Sequence, residues 1–313
     1  MHAAVLTSPD TDPIYTDFPD PEPFPGREPL TLVAAGMHQV VRSIATGRHY
    51  GSTGNYPLVP GVDAVARHDD GTLVYTGFTT PPWGTMAEKI ATSFDLALPA
   101  SADPLAVAAG MNPGMPGYMT LTQHMEQRGQ LGTVLVLGAT GMAGRIATQI
   151  ALGLGASRVI AVGRDVHELE ALQVMGAEPI SIATSSRALE SCVQEEAPSL
   201  ILDFLWGSAA ESLFAALGRS GLDDDTADIS WVQIGSLAGT NAALPASLLR
   251  SRRITISGHG AGSASMEELL AKLPRLMAMI ADGTITVPYT AYPLERIADA
   301  WNHTGRTRAV VTL

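Results

Sequence analysis

Two regimes of hydrophobic patterning divide the chain. Up to about residue 100 the apolar residues come in short runs separated by turn-forming residues. His2–Leu6, Leu30–Ala35, Val62–Ala66, Thr72–Thr76 and Met86–Ile90 read as strands, with turns such as Asp69-Asp70-Gly71 between them. Residues 19–26 (PDPEPFPG) hold too many prolines for a helix or a central strand and are expected as an extended connector. Thr46–Gly61, rich in glycine and tyrosine, reads as an irregular loop long enough to be functional. These features predict a small antiparallel β domain.

From Asp103 the spacing changes. Pro104–Gly110 and Tyr118–Arg128 are expected as two helices, and Thr133–Leu137 as a strand buried on both faces. Ile146, Ile150 and Leu154 then recur at helical spacing, and Arg158–Val162 is a second strand. The alternation continues through Pro179–Ile182, Leu200–Phe204, a helix over Ser208–Leu217, Trp231–Ile234, Ile254–Ser257 and an amphipathic helix over Met266–Ala281. Alternating strands and helices imply a parallel, doubly wound sheet that binds ligand at the carboxyl ends of its strands. The end of the chain, from Tyr292 through Trp301 to Ala309–Val311, reads as one helix and one strand that complete the first domain.

The stretch TVLVLGATGMAG, residues 133–144, carries the chemistry. Strand, glycine turn, helix and strand form a βαβ unit, whose first turn seats a dinucleotide pyrophosphate on helix-terminal amides. The spacing is Gly138-x-x-Gly141-x-x-Gly144, with Ala139 standing where the usual fingerprint has its first glycine. Glycines also serve tight turns without any ligand. Here the triplet opens a helix directly after a strand, and a charged residue stands 20 positions beyond Gly144. That residue is Arg164, where an NAD-binding chain would carry an acid for the ribose 2′-hydroxyl. A guanidinium suits a 2′-phosphate, which it grips in bidentate fashion, and Gly163 beside it is expected to leave room. NADP(H) is the expected cofactor, with its pyrophosphate at Thr140, Gly141, Met142 and Ala143. Asp165 reads as the cap of the next helix.

Composition narrows the partners. The 313 residues suffice for two domains with real cores, 46% of them hydrophobic and 16% charged. The net charge, 19 − 31 = −12, argues against nucleic acid or an anionic membrane as partner. A single cysteine, Cys192, excludes an internal disulfide and any multi-cysteine metal site. No apolar run approaches the length of a membrane helix and no signal peptide is evident, so a cytoplasmic enzyme is expected. Asp223-Asp224-Asp225 reads as a solvated loop and not a metal site.

With these residues in view, the chain resembles the medium-chain dehydrogenase/reductase superfamily, in its zinc-free, quinone-oxidoreductase-like branch. The resemblance spans the whole chain and rests on MHAAVL at the start, PGVD at Pro60–Asp63, WGTMAE at Trp83–Glu88, GATGMAG, and LERIADAW…AVV at the end. It implies a GroES-like antiparallel β domain (residues 1–109 with 260–313) interrupted by a Rossmann doubly wound parallel-sheet domain (110–259), with the active site in the cleft between them. It further implies NADPH-dependent hydride transfer to a quinone, enone or similar carbonyl-conjugated small molecule, in a homodimer. Asn112, Leu205, Gly235 and Ser236 are implied as further cofactor-binding positions, the last two near the nicotinamide.

Zinc-bearing relatives have a Cys, a Gly-His-Glu and a further Cys as ligands. The matching positions here are His38, Gly61-Val62-Asp63 and Gly110-Met111-Asn112-Pro113. One possible ligand cannot hold a catalytic zinc, which takes three protein ligands and a water. No metal is expected, and substrate activation falls to hydrogen bonds. In the substrate loop, Gly47-Arg48-His49-Tyr50 replaces Gly-x-Tyr, so either His49 or Tyr50 takes the tyrosine's place. His38 stands where the family has an asparagine facing the nicotinamide, and the candidate catalytic residues are His49, Tyr50 and His38. Pro116 and Ile182 replace a family threonine and tyrosine near the cofactor. These departures leave the substrate open. They also leave a second reading, an NADPH-binding sensor or structural protein without turnover. A short-chain reductase is excluded, because about 130 residues precede the glycine motif and no tyrosine has a lysine four positions on.

Overall fold

The computed structural model describes residues 1–183, 186–221, 224–260 and 262–313. It forms two compact units, Met1–Pro113 with Leu273–Leu313, and Gly114–Lys272.

In the first unit β1 (His2–Val5) pairs antiparallel with β2 (Ile14–Asp17). β3 (Leu30–Gly36) leads into a short helix, α1 (Gln39–Ala45), that the glycine-rich surroundings hide from the sequence pattern. β4 (Asp63–Arg67) pairs antiparallel with β3 and with β5 (Leu73–Gly77). The edges are filled by β6 (Lys89–Ile90) against β3 and β7 (Leu96–Ala97) against β5. Leu30, Leu32, Met37, Val41, Ala64, Ala66, Val74 and Ile90 form its core.

A single helix, α2, spans Pro104–Arg128, where two helices separated by Gly110-Met-Asn-Pro-Gly-Met-Pro-Gly were expected. Propensity is overridden by packing. A Cβ at Gly110 would stand 2.7 Å from Val287 Cγ2, and one at Gly117 2.8 Å from Ala147 Cβ, so the glycines are close-contact points rather than breaks.

The second unit alternates strictly: β8 (Thr133–Leu137), α3 (Met142–Gly153), β9 (Arg158–Gly163), α4 (Val166–Val174), β10 (Glu178–Ser181), α5 (Ser186–Glu195), β11 (Leu200–Asp203), α6 (Gly207–Leu217), β12 (Ile229–Gln233), α7 (Ala246–Ser251) and β13 (Ile254–Gly258). The strands lie parallel in the order β10-β9-β8-β11-β12-β13. All of β8 and β11 is buried, in keeping with the apolar runs Val134–Leu137 and Leu200–Leu202. Leu135, Leu137, Ile160, Val162, Ile201 and Trp231 pack there against Leu213, Phe214 and Leu217 of α6.

Asp223 of the acidic run lies outside the described residues. Asp225 is not the solvated residue expected of that run: its side chain, 8% exposed, pairs with Arg252 at 3.2 Å and Arg219 at 3.5 Å.

Within α8 (Met266–Ala281) the chain passes back to the first unit, which resumes at Leu273. Its end is a strand, β14 (Tyr289–Pro293), a 3-10 turn, a short helix, α9 (Ile297–Trp301), and a strand, β15 (Arg308–Thr312). The expected helix thus begins later than Tyr292, because Tyr289–Pro293 pairs in parallel with β15. β15 in turn pairs antiparallel with β3.

Candidate cofactor and active site

β8 emerges at the carboxyl edge of the parallel sheet where the winding reverses, with β9 and β10 on one side and β11, β12 and β13 on the other. An open parallel sheet leaves its crevice at such a point. Gly138 takes φ +96°, a conformation suited to glycine, and both its amide and that of Ala139 donate to Val162 O at 2.9 Å. Gly141 closes the turn on Gly138 O at 3.0 Å and caps α3 with extended backbone and no side-chain hydrogen bond. The first-turn amides of Met142, Ala143 and Gly144 therefore open at the crevice without an acceptor inside the helix. Gly144 is fixed by sterics, since a Cβ there would collide with the Gly138 carbonyl and stand 2.8 Å from Ala139 Cα. Turn and helix terminus together form an anion-binding cradle.

The tip of β9 corrects one expectation. The space beside Gly163 is not open: a Cβ there would stand 2.7 Å from Thr140 Oγ1 and 3.1 Å from Thr140 Cβ. The glycine accommodates Thr140 of the preceding turn and so ties the two strand ends together. Arg164 is exposed, and no ion pair holds it among the described residues. Asp165 caps α4, accepting the amides of His167 at 3.1 Å and Glu168 at 3.3 Å. Arg145, in the first turns of α3, is engaged by Glu168 at 2.6 Å.

On the other side of the switch, Asp203 ends β11. Its carboxylate is fully buried, and Oδ1 accepts the amides of Leu205 and Trp206, each at 2.8 Å. Burial raises its pKa against the pull of those amides. The turn places Trp206 at φ +55°, strained for a residue with a side chain. Gly235 folds back on the same turn, its amide donating to Asp203 O at 3.0 Å, where a Cβ would press on the Phe204 backbone. Leu205 O accepts from Ala238 at 2.8 Å, beyond the exposed Ser236. Thus Gly138, Thr140, Gly141, Met142, Ala143, Gly144, Gly163, Arg164, Leu205, Gly235 and Ser236 all lie along one carboxyl edge. Asn112 belongs to the first unit, half-buried on α2. Asp203 escaped the sequence reading, although an acid closing the apolar run Leu200-Ile-Leu-Asp was its visible signal.

The catalytic candidates lie on either side of α1 in the chain. His49 and Tyr50 follow α1 and stack on each other, with ring centroids 4.0 Å apart. His49 is half-buried and Tyr50 is 76% exposed. His49 Nδ1 accepts the Gly51 amide at 3.0 Å, so the proton of the neutral ring stands on Nε2. Burial lowers the pKa of His49 and favours that neutral form.

His38, the residue before α1, is only 2% exposed. Its Nε2 stands 3.3 Å from Asp63 Oδ1, while Asp63 Oδ2 accepts from the Tyr75 hydroxyl at 2.9 Å. Neither ring nitrogen of His38 makes a hydrogen bond. Burial lowers the His38 pKa, against the opposing pull of Asp63. The Tyr75 phenol is raised, chiefly by burial and next by Asp63. Arg308 shares this interior, its pKa lowered by burial to about 10 and its guanidinium donating to Met37 O at 3.0 Å.

No protein-family profile matches the chain. Over 351 aligned positions it is 28% identical to a protein of Emericella nidulans named "probable NADPH-dependent quinone reductase", covering 96% of each chain. Among solved structures it is similar to an alcohol dehydrogenase superfamily protein from Novosphingobium aromaticivorans, with a TM-score of 0.80, 22% identity and coverage of 100% of this chain and 99% of that one. It is similar also to the quinone oxidoreductase from Thermus thermophilus, solved with NADPH as well, with a TM-score of 0.74, 23% identity and 100% of both chains covered. The antiparallel β unit is the GroES-like part of such proteins and the doubly wound sheet is their Rossmann part. The chain thus has the two-domain fold of the alcohol dehydrogenase superfamily protein and of the Thermus quinone oxidoreductase, and over 96% of its length its sequence is similar to that of the Emericella protein.

Proposed function

We propose that the chain is a zinc-independent, NADPH-dependent oxidoreductase that reduces a quinone, enone or similar carbonyl-conjugated small molecule. The observation that carries this reading is the uncapped amino terminus of α3 at the switch point of the sheet, with Arg164 exposed at the neighbouring strand tip. Amides and a guanidinium are the donors that a pyrophosphate and a 2′-phosphate require. The names of the Emericella and Thermus proteins point the same way.

The bound cofactor would supply a hydride, and reduction is complete when the substrate oxygen has taken a proton. In this chain the Gly138–Gly144 turn and Arg164 would bind the phosphates. His49 would offer its Nε2–H to the substrate oxygen, with solvent-exposed Tyr50 stacked beside it as the route by which the proton is replaced. His38 is sealed beside Asp63, so its contribution is to the frame of the first unit rather than to contact with substrate. Zinc independence is supported by the donor set: among the described residues no three His, Cys, Asp or Glu side chains converge. The reading includes a homodimer and a cytoplasmic location. No described helix is long and apolar enough to cross a membrane.

The test is a panel of quinones and enones followed at the nicotinamide absorbance with NADPH and NADH, with and without a chelator. Consumption of NADPH with at least one acceptor, unchanged by chelator, is expected. Saturable NADPH binding with no turnover on any acceptor would favour the sensor or structural reading. Loss of activity on chelation would remove zinc independence.

A further inference from the structure

A second guanidinium stands close to the tip of β9, and an acid holds it. α3 starts where β8 ends and α4 where β9 ends, so both helices open at the carboxyl edge of the sheet. Arg145 lies in the first turn of α3, its amide donating to Gly141 O at 2.8 Å. Glu168 lies in the first turn of α4, its amide donating to Asp165 Oδ1 at 3.3 Å. The two side chains meet between the helices, Arg145 Nη1 donating to Glu168 Oε2 at 2.6 Å. Each is only 15% exposed, and the buried Arg145 Nε makes no hydrogen bond with any described residue. The pair therefore bridges the amino termini of α3 and α4. The Gly138–Gly144 turn precedes one partner, and Arg164 stands four residues before the other.

Charge gives this pair a use. A carboxylate beside the strand tip is a liability for a chain that takes a 2′-phosphate there, since it repels the phosphate and favours the free ribose hydroxyls of NADH. Joined to Arg145, Glu168 presents no net charge. Little water reaches the pair to screen it, so removing either partner uncovers the charge of the other. Loss of the arginine would leave a negative charge near Arg164, and loss of the glutamate a positive one.

We infer that Arg145 is a specificity-determining residue, which neutralises Glu168 and so keeps the adenosine end of the site selective for a 2′-phosphate; this rests on the NADPH reading above. Arg145 acts through Glu168, and neither side chain touches the reacting atoms.

The test measures dissociation constants for NADPH and NADH at about pH 8, where a phosphate monoester carries close to two negative charges. The proteins are the wild type, Arg145→Gln, Glu168→Gln and the double variant, with a thermal midpoint recorded for each. Arg145→Gln should lower the preference for NADPH over NADH by about 3- to 10-fold, and Glu168→Gln should raise it by a similar factor. The double variant should return close to the wild-type preference, even where its midpoint falls. A pair that merely braces α3 against α4 would weaken both nucleotides together in each variant. An unchanged preference in the single variants would therefore overturn the inference, and so would shifts of the same sign in both. Should Arg145→Gln not fold, Glu168→Gln still decides, because an unraised preference there overturns the inference by itself. A wild type that does not prefer NADPH would mean that the NADPH reading has failed, and this inference with it.

Discussion

Thr140 occupies the space in front of Gly163: a side chain at residue 163 would begin 3.1 Å from Thr140 Cβ and closer still to its hydroxyl. The glycine turn after β8 and the tip of β9 are therefore one packed unit. Gly163→Ala should destabilise the protein by about 1–3 kcal/mol, the usual cost of overpacking. Thr140→Ala should restore most of that loss in the double variant, although alone it removes contacts. Denaturant midpoints of the four proteins form the cycle. A Gly163→Ala variant as stable as the wild type would show that Thr140 rotates away without cost.

The interior of the first unit predicts a pH dependence. His38 has its folded pKa lowered by burial, below an unfolded value of about 6.5. The unfolded chain then takes up the proton more readily. The stability that neutral His38 contributes is fully present above that unfolded value, and it is lost as the pH falls towards the lower folded pKa. His38→Gln should be less stable than the wild type at pH 8, with the gap narrowing towards pH 5. Urea midpoints across that range test it, and a gap independent of pH would mean that His38 takes up its proton as readily in the folded chain as in the unfolded one.

The architecture is legible in the sequence because it is written in long-range periodicity. The apolar runs of β8 and β11 and the glycines between β8 and α3 need no partner information to be recognised. The departures share a cause. α2 runs through Pro113 and Pro116 because tight packing at Gly110 and Gly117 outweighs local propensity, and no window of sequence contains Val287 or Ala147. Gly163 reads in sequence as room for a phosphate, whereas in the fold Thr140 fills that room. The burial of His38 beside Asp63 was hidden from the sequence for the same reason, since Asp63 and Tyr75 reach that place from strands well downstream. Patterns of one chain segment carry elements; the use of a side chain depends on what another segment brings to it.

The substrate loop supplies a kinetic prediction. His49 and Tyr50 are stacked on each other, and phenylalanine at both positions keeps aromatic rings there while removing the Nε2–H and the hydroxyl. The double substitution should lower turnover by about 100-fold, within the range of general acid–base contributions. NADPH affinity should stay within about twofold. Single-turnover rates beside equilibrium binding separate the two, and undiminished turnover would assign the proton to solvent.

The proposed preference for NADPH places the 2′-phosphate on Arg164. NADPH differs from NADH by the 2′-phosphate, whose charge a protein must pair or repel. Arg164 is exposed at the tip of β9, beyond a Gly163–Thr140 contact that holds the strand end in place, and no described acid competes for it. Charge-assisted hydrogen bonds contribute about 1.5–3 kcal/mol, so removing them should weaken NADPH by about 10- to 100-fold. NADH makes no such contact and should bind Arg164→Ala as it binds the wild type. Arg164→Asp should go further and reverse the preference, because the new carboxylate repels the phosphate and can accept from a free ribose hydroxyl. Because the effect is one of charge, the NADPH advantage of the wild type should also shrink as salt is raised. Dissociation constants for both nucleotides on the three proteins, at low and high ionic strength, decide the matter. Equal weakening of NADPH and NADH by Arg164→Ala would make Arg164 a structural residue, and no change in either would leave the 2′-phosphate without a partner at β9.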